Sequence, residues 1–232
     1  RPRLEPLTDQ IEKDRKLPSF LADEMAEAGF FKMLVPKDYG GSEIDPEDYF
    51  YVLEEIAKVD GSTAWVAGLL ACNSISSGYF SPQVAEEMFT DPKAGVAGSL
   101  APAIRPATEP PNQAVVVDGG YQLSGSWSFA SGCMHATYMI ALCSIVGQEE
   151  QRWFFFPKHQ CEIVENWQTM GMRGTGSHGF VVKELFVPQE RTLPASSTIV
   201  PVHPAPLYAF SAGPAFGTRH IPLAGVSTST LI

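Results

Sequence analysis

No stretch of the chain holds the roughly 18 consecutive apolar residues that a membrane-spanning helix needs, so no membrane span is expected. Basic residues are few and scattered. The 16 Lys and Arg stand against 26 Asp and Glu, a formal net charge of -10, which leaves no electrostatic footprint for nucleic acid. A bound cofactor phosphate would need local donors rather than a basic surface. Cysteine is sparse: Cys72, Cys133, Cys143 and Cys161 lie far apart, with no CxxC pair and no histidine at metal-ligand spacing. They are expected to be reduced, mostly buried thiols of a cytoplasmic protein, with no structural zinc. The opening RPRLEPLTDQ has none of the apolar run of a signal peptide. There is no GxSxG elbow, no HExxH spacing and no internal repeat. What the chain does have is length and apolar content. At 232 residues, 44% hydrophobic and 18% charged, it is expected to be globular, with material for one large domain or two ordinary ones.

Up to about residue 93 the apolar pattern has the helical period. Leu21, Met25 and Ala28 recur at i, i+4 and i+7, and AGF follows as a helix exit. Asp45-Pro46 is a start signal, a capping carboxylate followed by proline where its missing N–H does no harm. Tyr49, Val52, Leu53 and Ile56 then form one stripe. Ser81-Pro82 repeats the signal before Val84, Met88 and Phe89. Between these, TAWVAGLLAC (63–72) is apolar all round, which predicts a helix buried on every side.

From about residue 94 the period becomes two. AVVV (114–117), Asp118-Gly119-Gly120 and then YQLSGSWSF predict a hairpin, because glycine supplies the positive φ of a tight turn. In the second strand Tyr121, Leu123, Gly125, Trp127 and Phe129 alternate with Gln122, Ser124, Ser126 and Ser128. Further strands are expected at 137–146, 152–157 and 180–187, with Pro157 and Pro188 closing the last two. The pattern predicts an α+β protein: helical domain 1–93, antiparallel β barrel or sandwich 94–190, irregular tail 191–232.

Two motifs carry chemistry. Gly174, Gly176 and Gly179 spell GxGxxG, but FVVKELFVP follows, a strand where a dinucleotide site needs a helix. The loop is either a glycine-rich connection or a turn whose amides and Arg173 guanidinium face an anion. The other motif is WSFASGCMHA, Trp127 to Ala136. If the strand stays extended, Ser131 emerges on the face of Trp127 and Phe129. An aromatic face ending in a hydroxyl suits a planar heteroaromatic ligand, and equally it is what a core tryptophan on an ordinary strand looks like. His135 beyond it is either a structural residue or a functional one.

Helices followed by a β domain with GGYQLSGSWSFASGCMHA and GMRGTGSHGFVVKELFVP resemble the acyl-CoA dehydrogenase fold superfamily. Within it the resemblance is to the flavin-dependent monooxygenase branch, typified by the oxygenase component of 4-hydroxyphenylacetate hydroxylase, over about residues 5 to 190. In the dehydrogenases the matching strand usually reads W-I-T-N, with the threonine at the flavin edge near N5; here Phe129-Ala130-Ser131-Gly132 stands instead. The resemblance implies that Ser131 is the N5-edge hydroxyl, with Trp127 and Phe129 near the ring. It further implies a second flavin-facing segment at Ser99, Leu100 and Pro102, and a loop of Arg173, Thr175 and Ser177 beside the ligand cleft. Ser131→Ala is expected to change folding little. Thr108-Glu109-Pro110 copies a dehydrogenase T-E-P without the G-S-D that should follow. Asn73 stands where many of the hydroxylases carry a histidine.

By the same resemblance the activity is that of the oxygenase component of a two-component monooxygenase. Reduced flavin (FMN or FAD) from a separate flavin reductase, with O2, hydroxylates a small aromatic substrate, in a homo-oligomer of homotetrameric type. The competing readings are an acyl-CoA dehydrogenase and a catalytically inactive scaffold. The four-helix bundle that ends the family's proteins is not found in this chain, so a truncated product or a part of a longer protein is expected.

Overall fold

The computed structural model describes residues 2–103, 111–195 and 199–209. Helices occupy the first part: α1 (Thr8–Asp14), α2 (Ser19–Glu27), α3 (Pro46–Ala57), α4 (Gly61–Ser74) and α5 (Pro82–Phe89). Proline opens α3 and α5, as the sequence predicts, but the caps differ. Ser81 Oγ accepts the Val84 N–H, whereas the Asp45 side chain makes no cap bond, and α3 has Glu47 and Asp48 in its first turn instead. In α2 the stripe stops early: Leu21 and Met25 are buried, but Ala28 is the exposed C-cap, and Gly29 at φ +85° turns the chain out of the helix. α4 has the firmest start, where Asp60 accepts the Thr63 N–H at 2.6 Å. Asp60→Ala is expected to lower stability by about 0.5–2 kcal/mol, measured as a shifted urea midpoint at unchanged m-value.

Two four-stranded sheets follow, in the orders β1-β4-β5-β8 and β2-β3-β7-β6. The first comprises β1 (Val96–Ser99), β4 (Tyr138–Ser144), β5 (Gln151–Pro157) and β8 (Thr192–Pro194). The second comprises β2 (Gln113–Val117), β3 (Gly120–Ala130), β6 (Glu162–Val164) and β7 (His178–Pro188). The predicted hairpin is present: Val117 pairs with Gly120 across Asp118 and Gly119, the latter at φ +74°. Among the described residues the strands pair antiparallel within each sheet apart from β1, which runs parallel to β4, so the β half is mixed rather than purely antiparallel.

β3 does not keep the strict alternation of its sequence. Its register against β7 shifts between Leu123 and Gly125 and again between Trp127 and Ala130. At the second shift Phe129 takes φ +67°, the left-handed region that costs a non-glycine residue about 1–3 kcal/mol. Trp127 therefore points into the core at 1% exposure, whereas Phe129 stands 58% exposed.

The segment expected to be an irregular tail carries structure as well. β8 pairs with β5, and α6 (Pro206–Ala209) brings Tyr208 back onto the helices, where its hydroxyl donates to the Leu34 carbonyl at 2.8 Å. Burial of that apolar ring is why the chain returns. Buried apolar side chains from helices and sheets form one contiguous cluster, including Leu70 of α4, Val96 of β1 and Phe154 of β5. Thr108-Glu109-Pro110 and residues 210–232 lie outside the described residues. Among the described residues no helix is long and apolar enough to cross a membrane.

Candidate functional site

The chain before β7 is pinned at several points. His178, buried at the head of β7, accepts the Trp167 N–H at Nδ1 (3.1 Å), and the Gly179 N–H donates to Asn166 Oδ1 (2.9 Å). The Trp167 indole donates to the Met172 carbonyl at 3.0 Å. Met172 (φ +55°) and Gly176 (φ +52°) bend the segment between, so that it folds back on itself. Burial holds the His178 imidazole below its usual pKa, which suits a neutral ring accepting at Nδ1.

This segment, α4 and the end of β3 enclose a cleft of about 540 Å³. Its lining is Trp65, Leu69, Phe129, Ser131, Trp167, Met172, Thr175 and Ser177, and its volume lies in the range of ordinary small-molecule sites. Trp65 and Leu69 are four apart on α4, so they share one helix face. The helix expected to be buried all round is thus open along this side. Phe129 meets Trp167 edge-on, with ring centroids 6.1 Å apart. The positive φ at Phe129 is what turns that ring out of the core and into the wall of the cleft.

Against these apolar walls runs one polar row. Trp65 Nε1 donates to Ser131 Oγ at 3.0 Å. Ser131 Oγ lies 2.6 Å from Ser177 Oγ, which lies 2.7 Å from Thr175 Oγ1. Thr175 Oγ1 donates to the Met172 carbonyl at 2.8 Å. Ser131, Ser177 and Thr175 are all buried. The chain then leaves through Gly132 at φ +76°, whose N–H donates to the Thr175 carbonyl. A Cβ on Gly132 would meet Val66 and Leu70 at 3.3 Å, so the glycine lets the β3 end sit close against α4.

The structure brings together Ser131, Phe129, Thr175 and Ser177 of the sequence-predicted residues, and it places the others elsewhere. Trp127 is a core residue, stacked on Phe180 with centroids 5.1 Å apart, and its indole donates to the Leu142 carbonyl. The register shift after Trp127 separates it from the face that Ser131 shares. Ser99 is buried, with its hydroxyl accepting the Ala101 N–H, Leu100 is exposed, and Pro102 bridges to Trp127; none of the three lines the cleft. Arg173 lies on the far side of the same loop, in a separate polar cleft with Arg15, Gln168, Thr169 and Met170. Its N–H is held by Glu12, and its Nε is buried without a partner. Asn73 donates to the Val96 carbonyl, tying α4 to β1. The Cys133 thiol, buried behind the row, is pushed up to about 12 by desolvation and is not a nucleophile at neutral pH.

The pattern reading missed Trp65, Leu69, Trp167 and Met172. Trp65 carried a signal, a large aromatic in a helix otherwise built largely of small residues. Trp167 and Met172 carried none beyond their nearness to the glycine-rich loop.

The walls and the polar row fit a planar heteroaromatic group: apolar faces for its rings, and buried hydroxyls for the polar atoms of one edge. Residues 1–79 match the family described as acyl-CoA dehydrogenase, N-terminal domain. The flavin-dependent monooxygenase, oxygenase subunit HsaA, of Mycobacterium tuberculosis is 33% identical over 196 residues, covering 83% of this chain and 48% of that protein. The FADH(2)-dependent resorcinol hydroxylase, oxygenase component, of a Rhizobium species is 30% identical over 189 residues, 79% of this chain and 44% of its own length. The crystal structure of the HsaA monooxygenase from M. tuberculosis matches with a TM-score of 0.75 at 33% identity, over 84% of this chain and 50% of that one. XiaF from a Streptomyces species, in complex with FADH2 and glycerol, matches with a TM-score of 0.75 at 27% identity, over 83% of this chain and 48% of that one. The chain spans about half the length of the relatives it matches.

Proposed function

The chain has the acyl-CoA dehydrogenase fold in the form that flavin-dependent monooxygenases carry, and from that premise we propose that it is the flavin-binding part of the oxygenase component of a two-component monooxygenase. A separate reductase delivers reduced FMN or FAD, and the substrate is a small aromatic compound. The observation that carries this reading is the cleft itself, apolar on its walls and hydroxylic along one row centred on Ser131. The named relatives, an oxygenase subunit and an oxygenase component, support it.

Reduced flavin, when bound, supplies the two electrons with which O2 gives one oxygen atom to the aromatic ring and the other to water. The chain's own residues bind, orient and keep dry. Trp65, Leu69, Phe129, Trp167 and Met172 exclude water from the ring faces, and Ser131 fixes one edge. The left-handed backbone at Phe129, held by the structure around it, sets that side chain in the wall.

Ser131→Ala is expected to weaken reduced-flavin binding by about 5- to 30-fold, the worth of one buried hydrogen bond. Stability should fall by about 1 kcal/mol or somewhat more, because Trp65 Nε1 and Ser177 lose their partner. That differs from the small folding effect the sequence predicts, since the hydroxyl is engaged within the protein. For the function, the natural protein is mixed with reduced flavin, labelled O2 and a panel of phenols. A hydroxylated product carrying one labelled oxygen is expected, and peroxide as the sole product across the panel would overturn the reading.

A further inference from the structure

The loop that walls the cleft has a far side, and there the end of α1 packs hard against it. A Cβ on Gly174 would lie 2.2 Å from Ile11 Cγ2, and one on Gly176 would lie 2.9 Å from the Arg15 carbonyl oxygen. Glycine at both positions is what permits so close an approach. Arg15, the C-cap of α1, takes φ +56°, a left-handed conformation whose cost the surrounding structure must offset. Two hydrogen bonds fix the junction. Glu12 Oε2 accepts the Arg173 backbone N–H at 3.0 Å, and Arg15 Nη1 donates to the Trp167 carbonyl at 3.4 Å. Arg15 and Arg173, 158 positions apart in sequence, are thereby brought to one open cleft of about 510 Å³, with Gln168, Thr169 and Met170.

The charges of these two residues are not neutralised as the others are. Among the described residues the other arginines, Arg3, Arg152 and Arg191, each pair with a carboxylate, that of Glu24, Glu150 and Glu87 in turn. Arg15 and Arg173 pair with none, although the chain has a net charge of -10. The Arg173 guanidinium hydrogen-bonds to no described residue, and its Nε is buried. A buried donor left unpaired is costly, and two partly buried like charges on one cleft repel. An oxyanion between them would relieve both. Planar guanidiniums bind phosphoryl oxygens in forked pairs, and a phosphoryl group carries more negative charge than a carboxylate. The cleft has the volume of a small-molecule site, with room for more than an anion alone. We propose that Arg15 and Arg173 form an anion site, separate from the cleft at Ser131, that takes the phosphoryl group of a small phosphate ester. The two clefts have no lining residue in common, so the site stands independently of the reading of the first as a flavin site.

The test is calorimetric titration of the natural protein, in chloride buffer of low ionic strength, with glycerol 1-phosphate, inorganic phosphate and acetate. Glycerol 1-phosphate is expected to bind at one site per chain with a Kd below about 1 mM, and acetate about tenfold or more weaker. Arg15→Gln and Arg173→Gln should each weaken the ester by about tenfold or more. Arg173→Lys keeps the charge without the fork and should weaken it by about three- to fivefold. Arg3→Gln, at an arginine already paired with Glu24, should change nothing. The melting temperature of Arg173→Gln should stay near that of wild type, because the guanidinium bonds to no described residue. Absence of saturable ester binding to the folded wild type overturns the proposal. So does binding that survives both glutamine variants, or binding of inorganic phosphate with the ester excluded. Repeating the titration with FMN and with riboflavin present checks the separation of the two clefts, and the ester affinity is expected to be the same in both. Ester displaced by FMN but not by riboflavin would show that the arginines hold the flavin's own phosphate, which overturns a separate site. Failure to bind any flavin would overturn the reading of the first cleft and leave this site standing.

Discussion

Trp127→Ala is expected to destabilise the protein by about 3–5 kcal/mol, a fall in melting temperature on the order of 10 °C for a chain of this size. The indole is buried at 1% exposure, stacks on Phe180 at an interplanar angle of 11°, and donates to the Leu142 carbonyl. Truncation opens a cavity between the sheets and leaves that carbonyl unpartnered. Phe129→Ala, two residues along the same strand, should move the melting temperature little, because that ring is 58% exposed. Its effect should appear in flavin binding instead. Paired thermal melts of the two variants separate the core aromatic from the cleft aromatic. A large loss from Phe129→Ala, or none from Trp127→Ala, would contradict the register assigned to β3.

The second large effect lies in acid. His135 sits just beyond the site, with Nε2 buried and without a partner, and desolvation lowers its pKa to about 4, assisted by the positive charges of Lys158 and Lys16 and opposed by Asp23. A histidine whose folded pKa lies below its unfolded value of about 6.5 binds its proton more readily in the unfolded chain. Its neutral form therefore contributes full stability above about pH 6.5, and that contribution is lost as the pH falls toward about 4. The difference amounts to about 3 kcal/mol at the acid end. Urea midpoints measured across this window should decline with falling pH in wild type and decline less in His135→Phe. Identical slopes in the two proteins would show that His135 is not the titrating group.

The elements that announced themselves in the sequence are those governed by local chemistry. Pro46 and Pro82 mark helix starts because proline is tolerated only in the first turn, and Asp118-Gly119 marks the hairpin because the turn needs a positive φ. Ser131 was legible as a candidate because it ends an aromatic strand in a small polar run, and the structure places it in the lining of the cleft. What the pattern could not show was decided at a distance. The strict alternation of YQLSGSWSF carries no trace of the shift that turns Phe129 outward, since that shift arises in the pairing with β7. The parallel pairing of β1 with β4 joins segments some forty residues apart, and the intervening chain passes through the other sheet. In α4 nearly every residue is apolar or small, so periodicity could not single out the face of Trp65 and Leu69 that opens to the cleft. Tyr208 returns from a segment without helical period because a buried slot beside Ser77 and Leu34 receives it.

On the proposed function the row ending at Ser131 holds the reactive edge of a reduced flavin, and an anaerobic crystal structure of the natural protein with reduced FMN or FAD decides whether it does. The expected result places the flavin ring between Trp65 and Leu69 on one side and Phe129, Trp167 and Met172 on the other, with N5 about 2.7–3.2 Å from Ser131 Oγ. A flavin ring bound elsewhere, or one in the cleft with its N5 edge turned away from Ser131, would contradict it.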